Sequence, residues 1–386
     1  MSKKLLLLSF ISFQIFQAST GFSADTKTEA KQIMDGVYES FVKVVPYVYS
    51  DEKKLEGLRT DADQKERLLK NLTDISEFFK SARHVEYFQR PGFRPSLETI
   101  NHHMSDTINA VKGNNYIFAQ KRLKALTALC ISCHSQLSES AAENTFGNAI
   151  KKVKRDNFDS DFAYGNYLFL VRRFSESEKY FDLAIEQSLK DQTEEELYPS
   201  LRRLISINTK IELNPKKANQ FIDRYISNPK LPPLAKHTLQ TWKKSLGKWK
   251  NFNTKKIKSI DGFIKTYLAP LEVEKGETAG GENDVTLLVG SGVLSKYLND
   301  SPKTKLAPEI LYWLSIAERR LSNTYFFSLS DLYLKDCVKL YPKSKYARKC
   351  FNEYAENIEF GYSGSGGTDI PIEEKQELER LKGFLK

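Results

Sequence analysis

Ala128-Leu129-Cys130-Ile131-Ser132-Cys133-His134-Ser135-Gln136-Leu137 is the stretch on which the reading of this chain turns. Cys130 and Cys133 flank two residues and His134 follows directly, the Cys-x-x-Cys-His spacing of covalent c-type haem attachment. Two thiols about one helical turn apart can each add to a vinyl group of one porphyrin, while the adjacent imidazole is brought under the iron. The motif therefore predicts one covalent haem c, held by thioethers to Cys130 and Cys133 and ligated by His134.

Working outward, Ala119, Leu123, Leu126, Cys130, Cys133 and Leu137 recur at alternating steps of four and three, so both cysteines continue the apolar stripe of an amphipathic helix. A porphyrin bonded there lies against a helical core. The rival readings are a zinc half-site and a thioredoxin-type dithiol. Zinc needs two further ligands that the sequence does not pair with it, and the dithiol belongs in a βαβ context that is absent.

Three more amphipathic stretches precede the motif. The first carries Met34, Val37, Phe41, Val45 and Val48 at helical spacing, with Pro46 placed to kink or end it. The second follows the cap candidates Thr60 and Asp61 and buries Leu68, Leu72, Ile75 and Phe79. The third opens after Arg94-Pro95 with Ser96 as N-cap and turns Leu97, Ile100, Met104, Ile108 and Val111 inward; Lys112-Gly113-Asn114 ends it. Four such helices with mostly short connections predict a four-helix bundle over residues 25–142 with its cofactor between the helices.

This order resembles the class II cytochromes c, the c-prime type and its six-coordinate relatives, four-helix bundles in which the attachment motif closes the last helix. The resemblance rests on Leu126 to Leu137 and on Lys31-Gln32-Ile33-Met34, where relatives often carry a basic residue, Gln and Met; it covers roughly a third of the chain. It implies His134 as the proximal ligand and makes the first helix the source of whatever faces the far side of the iron. Met34, on the apolar stripe, is the candidate distal ligand or pocket residue, although methionine at helical spacing usually fills a core. Met104 and His103 are its rivals, His102 projects away from that face, and His84 has no distinguishing context. With no ligand there, the iron keeps an open position for a small gas such as nitric oxide or carbon monoxide.

The ends of the chain say where it works. Lys3 and Lys4 precede the largely apolar run Leu5 to Phe16, and the small residues Ala18, Ser19, Gly21 and Ala24 follow, which predicts a cleaved signal peptide over residues 1–24. A cut after Gly21 suits its flanking residues better than one after Ala24, because Phe22 fits badly three residues before the latter. No later segment is long and apolar enough to span a bilayer, so the mature chain is expected to be periplasmic and without a transmembrane segment. The net charge of +10 is spread along the sequence, as solvated surface lysine, and suits an anionic partner protein or membrane surface. An exported chain of this kind has no nucleic-acid partner.

Beyond a polar stretch from Ser138 to Asp156 the composition turns rich in tyrosine and phenylalanine. Tyr164, Gly165 and Leu168, then Ser177, Phe181 and Ala184, follow the spacing of a tetratricopeptide helical hairpin, with the turn at Val171 to Ser175. A second hairpin runs from Leu197 to Ile211 and from Lys216 to Ile226, before the break at Pro229 to Pro233. Asp284 to Leu298 is expected to be helical after a loop at Gly276 to Asn283. A later unit begins at Pro308, has its second helix at Leu332 to Leu340, and closes at Tyr341-Pro342, with Ser344 capping a further helix. Such Tyr-Pro turns often end the units of periplasmic tetratricopeptide-like proteins, and the segment 155–360 resembles them. Cys337 and Cys350 lie either side of that turn, and a disulfide between them would close a loop of about a dozen residues. His237 reads as a surface histidine. Over 361–386, Gly361 to Gly367 reads as a flexible linker and Ile372 to Leu385 as a short docking helix.

The expected fold is all-α, a haem-bearing four-helix bundle followed by a tetratricopeptide-like α-solenoid. The expected function is that of an exported mono-haem c-type cytochrome, not an enzyme, which transfers electrons with a redox partner protein that its repeats bind. The alternatives are a gas-binding haem sensor, or an envelope assembly scaffold in which the haem is accessory. A haem peroxidase fits least, because no distal histidine and arginine pair can be read.

Overall fold

Apolar steps of three and four become helices almost throughout the computed structural model, which describes residues 24–48, 55–136, 153–273 and 281–386. The fold is all-α, and among the described residues the strands Ser363–Gly364 and Gly367–Thr368 form a single antiparallel pair. The signal-peptide residues 1–23, the polar stretch 137–152 with Leu137, and residues 274–280 of the expected loop lie outside the described residues.

The N-terminal helices are α1 (Ala24–Val48), α2 (Ala62–Ala82), α3 (Glu86–Gln89), α4 (Arg94–Lys112) and α5 (Tyr116–His134). Asp61 caps α2 by accepting from the Gln64 amide at 2.8 Å, and Asn115 caps α5 by accepting from Phe118 at 3.3 Å. Pro46 lies inside α1, which runs on to Val48. Ser96, expected as an N-cap, instead lies inside α4, which begins at Arg94 with Pro95 in its first turn, where a missing N–H costs nothing. The one-turn helix α3 is not foreseen from periodicity, since four residues carry no repeat. Helix α1 packs on α2, α2 on α4, α4 on α5, and α1 touches α5. The expected stripes of α1, α2 and α4 face this interior, with Met34 and Ile108 half-buried.

Downstream, α6 (Asp161–Leu170) and α7 (Phe174–Asp191) form the expected hairpin. A Cβ on Gly165 would come 2.9 Å from the Phe181 ring, and Ser177 Oγ donates to the Gly165 carbonyl at 2.8 Å, so the small residues do let the two helices close. Helix α8 (Leu197–Ser206) widens into a π-type turn at Ile207–Ile211, and α9 (Pro215–Tyr225), α10 (Pro233–Leu246) and the short α11 (Ile260–Phe263) follow. Then come α12 (Asp284–Asp300), α13 (Ala307–Tyr325), α14 (Ser330–Leu340), α15 (Lys345–Gly361) and α16 (Ile372–Phe384). Cys337 on α14 and Cys350 on α15 are bridged, with their Cα atoms 6.3 Å apart. The Gly/Ser-rich stretch, expected as a linker, carries the small hairpin, with Gly367 at φ +109° where a side chain would strain the backbone. Helix α16 docks through buried Leu381, a Tyr354 hydroxyl bond to Glu374 at 2.8 Å and a Lys339–Glu377 pair at 3.4 Å.

Buried apolar side chains from Ala30 to Leu381 form one continuous cluster. Polar bonds stitch the N-terminal helices to the rest. The Tyr38 and Tyr167 hydroxyls meet at 2.5 Å, Ser132 donates to the Phe327 carbonyl at 3.0 Å, and Asn299 donates to the Gln136 carbonyl at 2.8 Å. No helix among the described residues is long and apolar enough to cross a membrane.

Candidate functional site

The last turn of α5 carries Cys130, Cys133 and His134 to the wall of a cavity of about 270 Å³. Its apolar lining comes from Met34 on α1, Phe79 on α2, and Phe88, Phe93, Leu97 and Ile100 on and around α3 and α4. A smaller space of about 40 Å³ adjoins it and is again lined by Met34, Cys130 and His134. Both thiols are half-exposed by area because they face the cavity, yet protein surrounds them. Burial pushes Cys130 up to about 12, with Cys133 adding to the effect. Burial likewise pushes Cys133 up to about 11 against the pull of Arg90, Ser96 and Arg172. A dithiol that reacts as thiolate needs the opposite shift. Among the described residues no group of three or more His, Cys, Asp and Glu is placed to hold a metal ion.

His134 is held from the second region of the chain. Its ring Nδ1 donates to the backbone carbonyl of Leu170, the last residue of α6. Burial, then the Arg172 charge, pushes its pKa down to about 4, so the ring is neutral at physiological pH. A neutral imidazole with Nδ1–H committed to a carbonyl keeps its lone pair on Nε2, the tautomer of a metal-ligating histidine.

The turn that supplies Leu170 has a defined geometry. The Arg173 amide donates to the Leu168 carbonyl at 2.9 Å and the Arg172 amide to the Phe169 carbonyl at 3.0 Å, the paired bonds of a Schellman cap. Arg172 therefore sits in the left-handed position, at φ +64°, and its side chain lines the cavity while remaining only 6% exposed. A second guanidinium, Arg90, lies 3.8 Å from the ring centroids of both Tyr87 and Phe93, which line the same cavity. Lys27 and Lys31 are exposed and also line it, and no acidic residue is among the described lining residues.

Of the residues singled out in the sequence, Cys130, Cys133, His134 and Met34 come together on this one cavity. Met104 is fully buried in the core, and the buried His103 ring packs edge-on to Phe327 at 5.7 Å; neither lines the cavity. His102, His84 and His237 are exposed. Sequence reasoning named Lys31 only within the first-helix match, and it missed Lys27, Arg90, Arg172 and the Leu170 carbonyl. Lys27, Lys31 and Met34 fall at steps of four and three on one face of α1, a signal that was there to read. Arg90, Arg172 and Leu170 carry no such signal, because only the folded chain brings them to the motif. No family model, no curated protein and no solved structure matches this chain.

Proposed function

We propose that this chain is an exported mono-haem c-type cytochrome that carries electrons. In this reading the first four long helices are a bundle like that of the class II cytochromes c, and residues 155–360 are a tetratricopeptide-like scaffold that binds a partner protein. The residues at the cavity fit the group. Cys130 and Cys133 offer two thiols one helical turn apart, His134 offers Nε2, the aromatic and aliphatic wall suits a flat macrocycle, and the cations suit its carboxylates. Haem supplies one-electron chemistry at its iron. The protein's own part is to hold and orient: the Leu170 carbonyl fixes the His134 ring, the apolar wall keeps water away, and Met34 faces the cavity as the candidate sixth ligand. The reading rests above all on one cavity wall that carries both thiols and His134, whose Nδ1–H is committed to the Leu170 carbonyl so that Nε2 is left for a ligand. The Cys337–Cys350 bridge suits the oxidising compartment that the leader sequence implies.

The chain matured in a host with a c-type haem assembly system is expected to be coloured and to gain the mass of one haem, and Cys130→Ser with Cys133→Ser is expected to lose both. A colourless full-length protein of unmodified mass would refute the cytochrome reading. The open space beside half-buried Met34 favours a second reading, a module for nitric oxide or carbon monoxide. A reduced spectrum indifferent to carbon monoxide supports the carrier, and one that shifts supports the gas module.

A further inference from the structure

We propose that Arg172 is the seat for the carboxylate edge of the macrocycle, a cation delivered to the haem cavity by the α6–α7 hairpin. This rests on the haem reading above and adds to it a positioning residue outside the attachment motif. Three observations converge on Arg172. Its side chain lines the cavity beside Cys130, Cys133 and His134 and is 6% exposed, so its charge is spent inside the protein. It occupies the left-handed position of a Schellman cap, at φ +64°, where glycine meets no steric penalty and a branched cation gains nothing from the backbone. A non-glycine residue kept in that conformation points to a role for its side chain.

The third observation is electrostatic. Arg172 is the buried cation among the described lining residues of a cavity whose wall is otherwise mostly aromatic and aliphatic. A flat apolar group with an acidic edge satisfies both halves of that lining: its faces meet the rings and its carboxylates meet a planar guanidinium that can bind them with two parallel hydrogen bonds. Lys27 and Lys31 are the competing cations, but they are solvent-exposed and lie on α1. An exposed ammonium attracts a carboxylate far less than a buried guanidinium does.

Arg172→Gly separates backbone from charge, because glycine is the residue that this turn accommodates best. In the full-length matured protein it is expected to retain covalent haem and to lower the midpoint potential, since a lost cation leaves ferric iron relatively favoured. The expected change is about tenfold or more in the reduction equilibrium, which is about 59 mV for one electron. The carboxylate bands of the redox-difference infrared spectrum are expected to move, and Arg172→Lys is expected to recover most of the potential. A coloured Arg172→Gly protein with unchanged potential and unchanged carboxylate bands would overturn the assignment, as would a shift produced only by Lys27→Ala with Lys31→Ala. If the unsubstituted protein carries no haem, the functional reading itself has failed, and this inference with it.

Discussion

Asp336 shows how a single residue records the joining of the two parts of the chain. It projects from α14 toward α4, its side chain 5% exposed, with Arg94 Nε 3.8 Å from one oxygen. The other oxygen is buried with no hydrogen-bond partner among the described residues. Burial pushes the carboxyl up to about 6, Glu98 adding to the rise while Arg94 and Lys339 oppose it. Because the folded value exceeds the unfolded one, the native state binds the proton more tightly. The cost is absent well below pH 4, grows as pH climbs from about 4 to 6, and is complete above it. Two units correspond to about 3 kcal/mol as an upper bound. Asp336→Asn should therefore raise the unfolding free energy from urea titration at pH 7.5 by about 1–2 kcal/mol, with the gain vanishing toward pH 4; equal gains at both pH values would refute the ionisation account. At this same scale the site divides cleanly by legibility. Cys130, Cys133 and His134 are readable because the Cys-x-x-Cys-His spacing is contiguous and lies along one helix. Arg172, and Arg90 behind the lining rings of Tyr87 and Phe93, are not, because they reach the motif only once the helices and the α6–α7 turn have met.

At the scale of elements, one very close crossing lies away from the cavity. Gly292, in the middle of α12, packs against the π-type turn after α8 so closely that a Cβ would stand 2.1 Å from the Lys210 carbonyl oxygen. That approach places the buried Lys210 amine 3.7 Å from Glu318 on α13 and 4.2 Å from the Phe326 ring centroid. The obstacle at Gly292 is backbone and cannot swing aside as a side-chain end does. Gly292→Ala should therefore lose about 2–3 kcal/mol by overpacking, even though alanine in an open helix would gain about 1 kcal/mol. A denaturant titration that shows no loss would mean that the helices part without cost. Helix positions followed from periodicity here, and the Gly165 contact in the α6–α7 hairpin followed from its motif spacing. The run Gly290-Ser291-Gly292 gave a composition cue that the 3.6-residue pattern does not weigh, and the partner it approaches lies some eighty residues earlier in the sequence.

For the whole molecule the question is whether the N-terminal helices and the later helices stand or fall together. Their apolar residues belong to one cluster, and α14 is where the parts are fastened. Gln136, just past the attachment motif, donates to the Tyr333 hydroxyl at 3.2 Å, and Ser132, inside the motif, is bonded to Phe327 just before α14. The same helix carries Cys337, bridged to Cys350 thirteen residues on. Closing a loop of that size stabilises the native state by about 3 kcal/mol in the chain-entropy model. If the fastening is as extensive as these contacts imply, that stabilisation is felt at His134 as well as in α14 and α15. Cys337→Ser with Cys350→Ser should then lower the thermal midpoint of the far-ultraviolet helix signal and that of the absorbance of the proposed haem by the same interval, in one transition. Two transitions, with the absorbance midpoint unmoved, would show instead that the N-terminal helices melt as a unit of their own and that the bonds around α14 couple them to nothing.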